Sequence, residues 1–261
     1  MPVQHDFRKL GCAECAAGAG LGFDFTMAYQ PIVDLKTQTV FAQEALVRGL
    51  NNESARSIFE LIDCKNRYRF DQACRVKAIQ GAAALGMTSA LSINFMPNAV
   101  YQPELCIRTT IEAAREFGFP LDQIIFEITE TEEVEDLSHL RNIVEYYQKR
   151  GFRTAIDDFG AGYSGLNLLA EFRTDFVKLD GALIRGIHLD KARQIIAKGI
   201  IQICHDLAVQ VIAECVESPE EIKVLRDFGV NLFQGYYFAR PAFRSQAIVP
   251  RAAYDALQQI V

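Results

Sequence analysis

A chain of 261 residues, half of them hydrophobic and 23% charged, has the length of one α/β barrel and enough apolar side chain for a large core. A net charge of -6 excludes a broad electrostatic grip on polymeric nucleic acid or an anionic membrane surface, since both need clustered Lys and Arg. No run approaches the roughly 18 to 20 uncharged apolar residues of a membrane span, and no basic-then-apolar leader opens the chain, so no membrane insertion and a cytoplasmic location are expected.

Residues 1–22, rich in Gly and Ala, read as a flexible lead-in to a single domain over residues 23–261. The lead-in holds Cys12 and Cys15 at C-x-x-C spacing. No second pair follows at zinc spacing, and an odd total of seven cysteines in a chain this long favours reduced thiols. Strand-like runs then begin at Met27, Thr39, Ala90, Gln123, Arg153, Asp175, Val209 and Asn231. Between them lie the helix-like stretches "ESARSIFELIDC", "FDQACRVKAIQGAAAL", "ELCIRTTIEAAREFG", "LSHLRNIVEYYQKRG", "DKARQIIAKGIIQICHDLA" and "SPEEIKVLRDFG". Several close on Gly, as a C-terminal cap does, and the last opens on Ser218, Pro219 and two acids, an N-terminal cap. The alternation predicts an α/β fold. Only "LKTQ" separates the first two strands, too short for a helical crossover, so the expectation is a TIM-like (β/α)8 barrel with an antiparallel first strand.

Barrel enzymes build their sites at the C-terminal ends of the strands. Here those ends carry Glu44, Asn94, Glu127 with Glu130, Asp157 with Asp158, Lys178 with Asp180, Glu214 with Glu217, and Gln234. One acid at a strand end is ordinarily a helix cap or a solvated group; acids on strand after strand are not explained that way. Converged on one mouth at low dielectric, such carboxylates repel by several kcal/mol each, which calls for cations among them. Carboxylates with one amide oxygen, and no cluster of His or Cys, suit Mg²⁺ or Mn²⁺ rather than zinc. In "AIDDFGAGYSGL" the neighbouring aspartates belong on opposite faces of a strand. Where the chain turns at a strand end, both can approach one metal pair, Asp157 bridging and Asp158 terminal; the bland reading is an Asp/Gly turn. Gly160, Gly162 and Gly165 predict a mobile loop beyond them. Lys178, between Val177 and Leu179, faces the mouth, to orient or deprotonate a nucleophilic water or simply to form a salt bridge. Glu132, Glu133 and Glu135 are expected to begin the next helix.

"QEALVR", from Gln43 to Arg48, resembles the signature of the EAL domain, the family of cyclic di-GMP phosphodiesterases, and later motifs follow in register from about Met27 to Pro241. The resemblance implies metal ligands at Glu44, Asn94, Glu127, Asp157, Asp158 and Glu214, with Lys178 activating water and Glu217 joining the catalytic set. It implies substrate contacts at Gln30, Arg48, Asp180 and Gln234, and Glu130 as the anchor of the "DDFGAGYSGL" loop. It further implies hydrolysis of cyclic di-GMP to linear 5'-pGpG with two Mg²⁺ or Mn²⁺ per site, Ca²⁺ binding without turnover, and a homodimer through "SGLNLLAEF" and "DKARQIIAKGII". "NRYRFDQACRVKAI" and "LSINFMPNAVY" look like the branch of the family attached to blue-light sensors, and a sensor domain or partner would lie outside this chain. The chain departs from the family at Cys215, where Gly is usual and a side chain could crowd the turn, and at Gly49, Ala161 and Gly165; none of these is a proposed ligand. The competing expectations are a receptor that binds cyclic di-GMP without cutting it and an inert interaction module.

Overall fold

The computed structural model describes residues 21–100, 102–129, 136–162 and 165–258. Its strands are β1 (Thr26–Asp34), β2 (Thr39–Arg48), β3 (Ala90–Asn94), β4 (Ile124–Thr129), β5 (Arg153–Phe159), β6 (Phe176–Leu179), β7 (Gln210–Ala213) and β8 (Leu232–Gln234), with a two-residue β9 (Ala242–Phe243). From β2 to β8 the strands are parallel and in sequence order, and β1 closes the cylinder by running antiparallel to both β2 and β8. The barrel is thus the TIM-like one expected, antiparallel at its first strand. On β1, short β8 pairs with Ile32, Val33 and Asp34, and β9 covers Ala28 and Tyr29.

The helices are α1 (Ala55–Phe59), α2 (Arg67–Ala84), α3 (Pro103–Phe117), α4 (Leu137–Lys149), α5 (Gly165–Glu171), α6 (Gly181–Ile184), α7 (Lys191–Asp206), α8 (Pro219–Asp227) and α9 (Arg251–Gln258). The capping box read at Ser218 is present: its hydroxyl accepts from the Glu221 amide, and the Glu221 carboxylate accepts from the Ser218 amide. The sequence pattern does not announce α5, α6 or α9, and Gly165 opens α5 where a continuing loop was expected. Strands seven and eight are shorter than "VQVIAECVE" and "NLFQGYYF" suggest. Cys215 at φ +54° turns the chain out of β7, and at Gly235 the chain end of β8 meets Val216 too closely for any Cβ.

Period-two alternation organises the interior. Ile32, Ala42, Ala90, Ile125, Ala155, Phe176, Ile212 and Leu232, one from each strand, pack into a buried apolar layer across the barrel. Two residues further along each strand, or two back on antiparallel β1, the inward layer becomes Gln30, Glu44, Ser92, Glu127, Asp157, Lys178, Glu214 and Gln234, all buried. Opposite parity feeds the second core, in which Ile93, Phe126, Ile128, Ile156, Val177, Leu179 and Phe233 meet the surrounding helices. The polar layer therefore sits on an apolar floor at the C-terminal mouth of the parallel strands. Among the described residues no helix is long and apolar enough to cross a membrane.

Candidate active site

Lys178 stands at the centre of the polar layer with its side chain 1% exposed. Its Nζ lies 2.8 Å from Glu214 Oε1, 2.9 Å from Glu127 Oε2, 2.9 Å from Asp157 Oδ1 and 3.5 Å from Glu44 Oε2. Burial works against its charge, but the carboxylates of Asp157, Glu127, Glu214 and Glu44 outweigh that and hold its proton well above the ordinary lysine range. Burial, reinforced by neighbouring acids, pushes Glu127 and Glu214 well above the usual carboxylate range despite Lys178. Glu44 is as deeply buried, yet Lys178, Gln234 and Asn94 together bring it below its ordinary value.

Amides and a hydroxyl tie the acids in place. Asn94 Nδ2 donates to Glu44 Oε1 at 2.8 Å, and Gln234 Nε2 to Glu44 Oε2 at 2.7 Å. Gln234 also reaches Gln30 Oε1 at 3.3 Å, while Gln30 donates to the Ala239 carbonyl at 3.2 Å. Ser92 Oγ makes a short hydrogen bond of 2.5 Å to Glu127 Oε1. Sequence reasoning missed Ser92; the available signal was its parity, two residues after Ala90 and two before Asn94.

The aspartate pair is resolved by backbone geometry. Asp158 adopts φ +53°, the left-handed conformation that Asp tolerates better than most residues, and the β5–β6 register slips between Ile156 and Phe159. Both carboxylates thereby reach the same side of the mouth. Oxygens of Glu44, Glu127 and Asp157 lie within 4.8 Å of one another, as do those of Asp157, Asp158 and Glu214. Asp157 belongs to both triads. Burial, then the negative charge of Asp157, pushes the Asp158 carboxyl up to about 6.

These residues fit a pair of divalent cations. Five carboxylates share one ammonium, and Asp157 Oδ1, although near Lys178, is buried without a hydrogen-bond donor. The donors are hard oxygens, with no His or Cys in either triad. Asn94 joins them once its amide turns from presenting nitrogen to presenting oxygen.

Other expected residues lie further out. Arg48, half-buried at the end of β2, donates to the Val47 carbonyl at 2.7 Å. Asp180 caps α6 by accepting from the Ala182 amide at 2.8 Å. Glu217 is 53% exposed and 3.8 Å from Arg185. Glu130, Glu132, Glu133, Glu135 and the Cys12/Cys15 pair lie outside the described residues. The described cysteines, Cys64, Cys74, Cys106, Cys204 and Cys215, are unpaired.

Comparison with known proteins agrees with this geometry. The EAL domain family matches residues 21–241. A standalone versatile EAL protein from Vibrio cholerae O395, solved in its c-di-GMP-bound form, is 58% identical, with a TM-score of 0.86 over 88% of this chain and 98% of that one. BlrP1 of Klebsiella pneumoniae, solved in a manganese/cyclic di-GMP complex, is 35% identical, with a TM-score of 0.80 over 86% of this chain and 57% of that one. The blue light- and temperature-regulated antirepressor BluF of Escherichia coli K12 is 32% identical over 82% of this chain and 53% of its own length. The chain thus spans about half of that relative, and other relatives bear the name cyclic di-GMP phosphodiesterase. A closed barrel with an acidic mouth, in register with these proteins over most of its length, makes this chain a member of the EAL domain family.

Proposed function

We propose that this chain hydrolyses cyclic di-GMP to linear 5'-pGpG with two Mg²⁺ or Mn²⁺ ions, in the cytoplasm. The observation that carries the reading is the pair of carboxylate triads sharing Asp157. Glu44, Glu127 and Asp157, with Asn94, would hold one ion, and Asp157, Asp158 and Glu214 the other. When bound, the ions supply Lewis acidity toward the phosphate and lower the pKa of water.

The chain's own residues do the rest. Asp157, reaching both triads, would contribute to holding both ions. Lys178, held protonated by its carboxylates in the metal-free site, would orient or deprotonate the attacking water in line with the leaving 3'-oxygen. Gln234 and Gln30 present amides at the rim, while Arg48 and Asp180 flank it where the dinucleotide enters. Glu217, at the surface, and Glu130 are assigned by family resemblance to the catalytic set and to loop anchoring. Ca²⁺, less strict in geometry, would occupy the triads and inhibit. A homodimer through α5 and α7 completes the reading, supported by exposed Leu166, Ile195, Ile196 and Ile203. A sensor domain or partner outside this chain would regulate it.

Likeness to an antirepressor favours a second reading, a receptor that binds cyclic di-GMP without cutting it. Incubation with cyclic di-GMP and Mn²⁺, followed by chromatography, separates the two. Linear dinucleotide is the expected product; saturable binding with no product establishes the receptor.

A further inference from the structure

Arg75 on α2 is fully buried outside the barrel wall, far from solvent and from the triads' inward face. Its Nη2 lies 2.7 Å from Asp71 Oδ2, also buried, one turn earlier on the same helix. Its Nη1 donates to the Tyr147 hydroxyl on α4 at 3.0 Å. The guanidinium carbon sits 5.1 Å from the ring centre of Phe126, 5.3 Å from Phe95 and 5.8 Å from Tyr147. Those three rings contact one another at 5.0 to 5.7 Å, closing an aromatic box around the cation.

The sequence neighbours of this box are metal-site residues. Phe95 follows Asn94, and Phe126 precedes Glu127. Asp71 Oδ1 accepts from the Met96 amide at 3.0 Å, two residues beyond Asn94, and the Phe95 amide donates to the Glu127 carbonyl at 3.1 Å. One ion pair thus grips the exit of β3 through backbone, and the outward neighbours of Asn94 and Glu127 through their rings. A buried ion pair rarely adds stability over well-packed apolar residues, because desolvation offsets the attraction. Its presence therefore asks for a role in placement rather than in stability.

We propose that Asp71 and Arg75 are positioning residues for the metal site: the pair, clamped between Tyr147, Phe95, Phe126 and the Met96 amide, sets Asn94 on β3 and Glu127 on β4 at ligating distance from Glu44 and Asp157. This rests on the two-cation reading above. Neither residue touches a metal or the substrate. They act from behind the wall, as outer hydrogen-bonding partners act on ligands elsewhere.

The test replaces the pair with apolar side chains of similar size, Asp71→Leu with Arg75→Met, and titrates Mn²⁺ by electron paramagnetic resonance without nucleotide. The folded double variant should keep or raise its Tm while binding Mn²⁺ at least about tenfold more weakly. Unchanged Mn²⁺ affinity in the folded variant overturns the proposal and leaves the functional reading standing. Wild-type protein that takes up no Mn²⁺ overturns both. If the double variant does not fold, Arg75→Lys decides. It keeps the charge beside Asp71 but loses the planar fork that reaches Tyr147 and stacks on the rings, so a severalfold loss of Mn²⁺ affinity supports the proposal and none refutes it.

Discussion

Among the described residues Lys178 carries the only positive charge inside the polar layer, with Glu44, Glu127, Asp157 and Glu214 all within 3.5 Å of its Nζ. Deleting that charge leaves buried acids uncompensated until cations arrive. Lys178→Ala should therefore cost on the order of 3–5 kcal/mol in metal-free protein and much less with saturating Mn²⁺, where catalysis nevertheless stays impaired. Thermal melts with EDTA and with Mn²⁺ check this; equal losses in the two would show that the ammonium does not substitute for metal charge. At this scale the sequence was most informative where side chains alternate: Glu44, Glu127, Asp157, Lys178, Glu214 and Gln234 follow from strand parity. Ser92 has the same parity but carries no charge to draw notice. The left-handed turn at Asp158 depends on how β5 slips against β6, which local residues do not specify. Glu217 shares a motif with Glu214, yet follows the left-handed turn at Cys215 and is 53% exposed.

Elements meet most tightly where β8 ends against the loop that follows β7. A Cβ on Gly235 would lie 2.1 Å from the Val216 carbonyl oxygen and 2.4 Å from its nitrogen. The approach is fixed by the Val216 amide donating to the Gln234 carbonyl at 3.1 Å. Gly235→Ala must push that loop away from the strand end, carrying Glu214 and Gln234 with it. The expected loss is about 1–3 kcal/mol in urea unfolding, accompanied by weaker Mn²⁺ binding, and an unchanged midpoint would show that the backbone yields freely. Strand starts were legible to within about one residue, because each apolar run is long enough to show its period. Short α5 and α6 were not, since four to seven residues give too few turns for a helical stripe, and their helicity is imposed by packing.

For the molecule as a whole, eight strands closing on an apolar floor follow from the alternation of runs, whereas its assembly and its response to pH follow from surfaces and charges that converge only once it is folded. Leu166, Leu189, Ile195, Ile196 and Ile203 are each more than 40% exposed around α5 and α7, an uneconomical arrangement for an isolated monomer. If that face joins two copies, Ile195→Glu should halve the mass seen by sedimentation while leaving the fold intact; a wild-type monomer would refute the dimer.

Proton and metal compete for the same acids, so stability should depend on pH in opposite senses with and without metal. Asp158 titrates at about 6 in the fold against 3.8 as its ordinary value, and Glu127 and Glu214 are likewise raised. Above about pH 4 the unfolded chain has released protons that the folded metal-free chain still holds, so its stability falls as pH rises through about 6. Glu44, shifted downward, opposes this but is outnumbered. The contribution of Lys178, whose pKa is raised, stays intact over this range and is lost only in alkali. Divalent ions bind the deprotonated acids, so their stabilisation grows as those same protons leave. The difference in Tm between Mn²⁺-loaded and EDTA-treated protein should therefore widen from about pH 5 to about pH 7. A difference that stays flat, or narrows, would mean that the buried acids of the barrel mouth do not hold the metal.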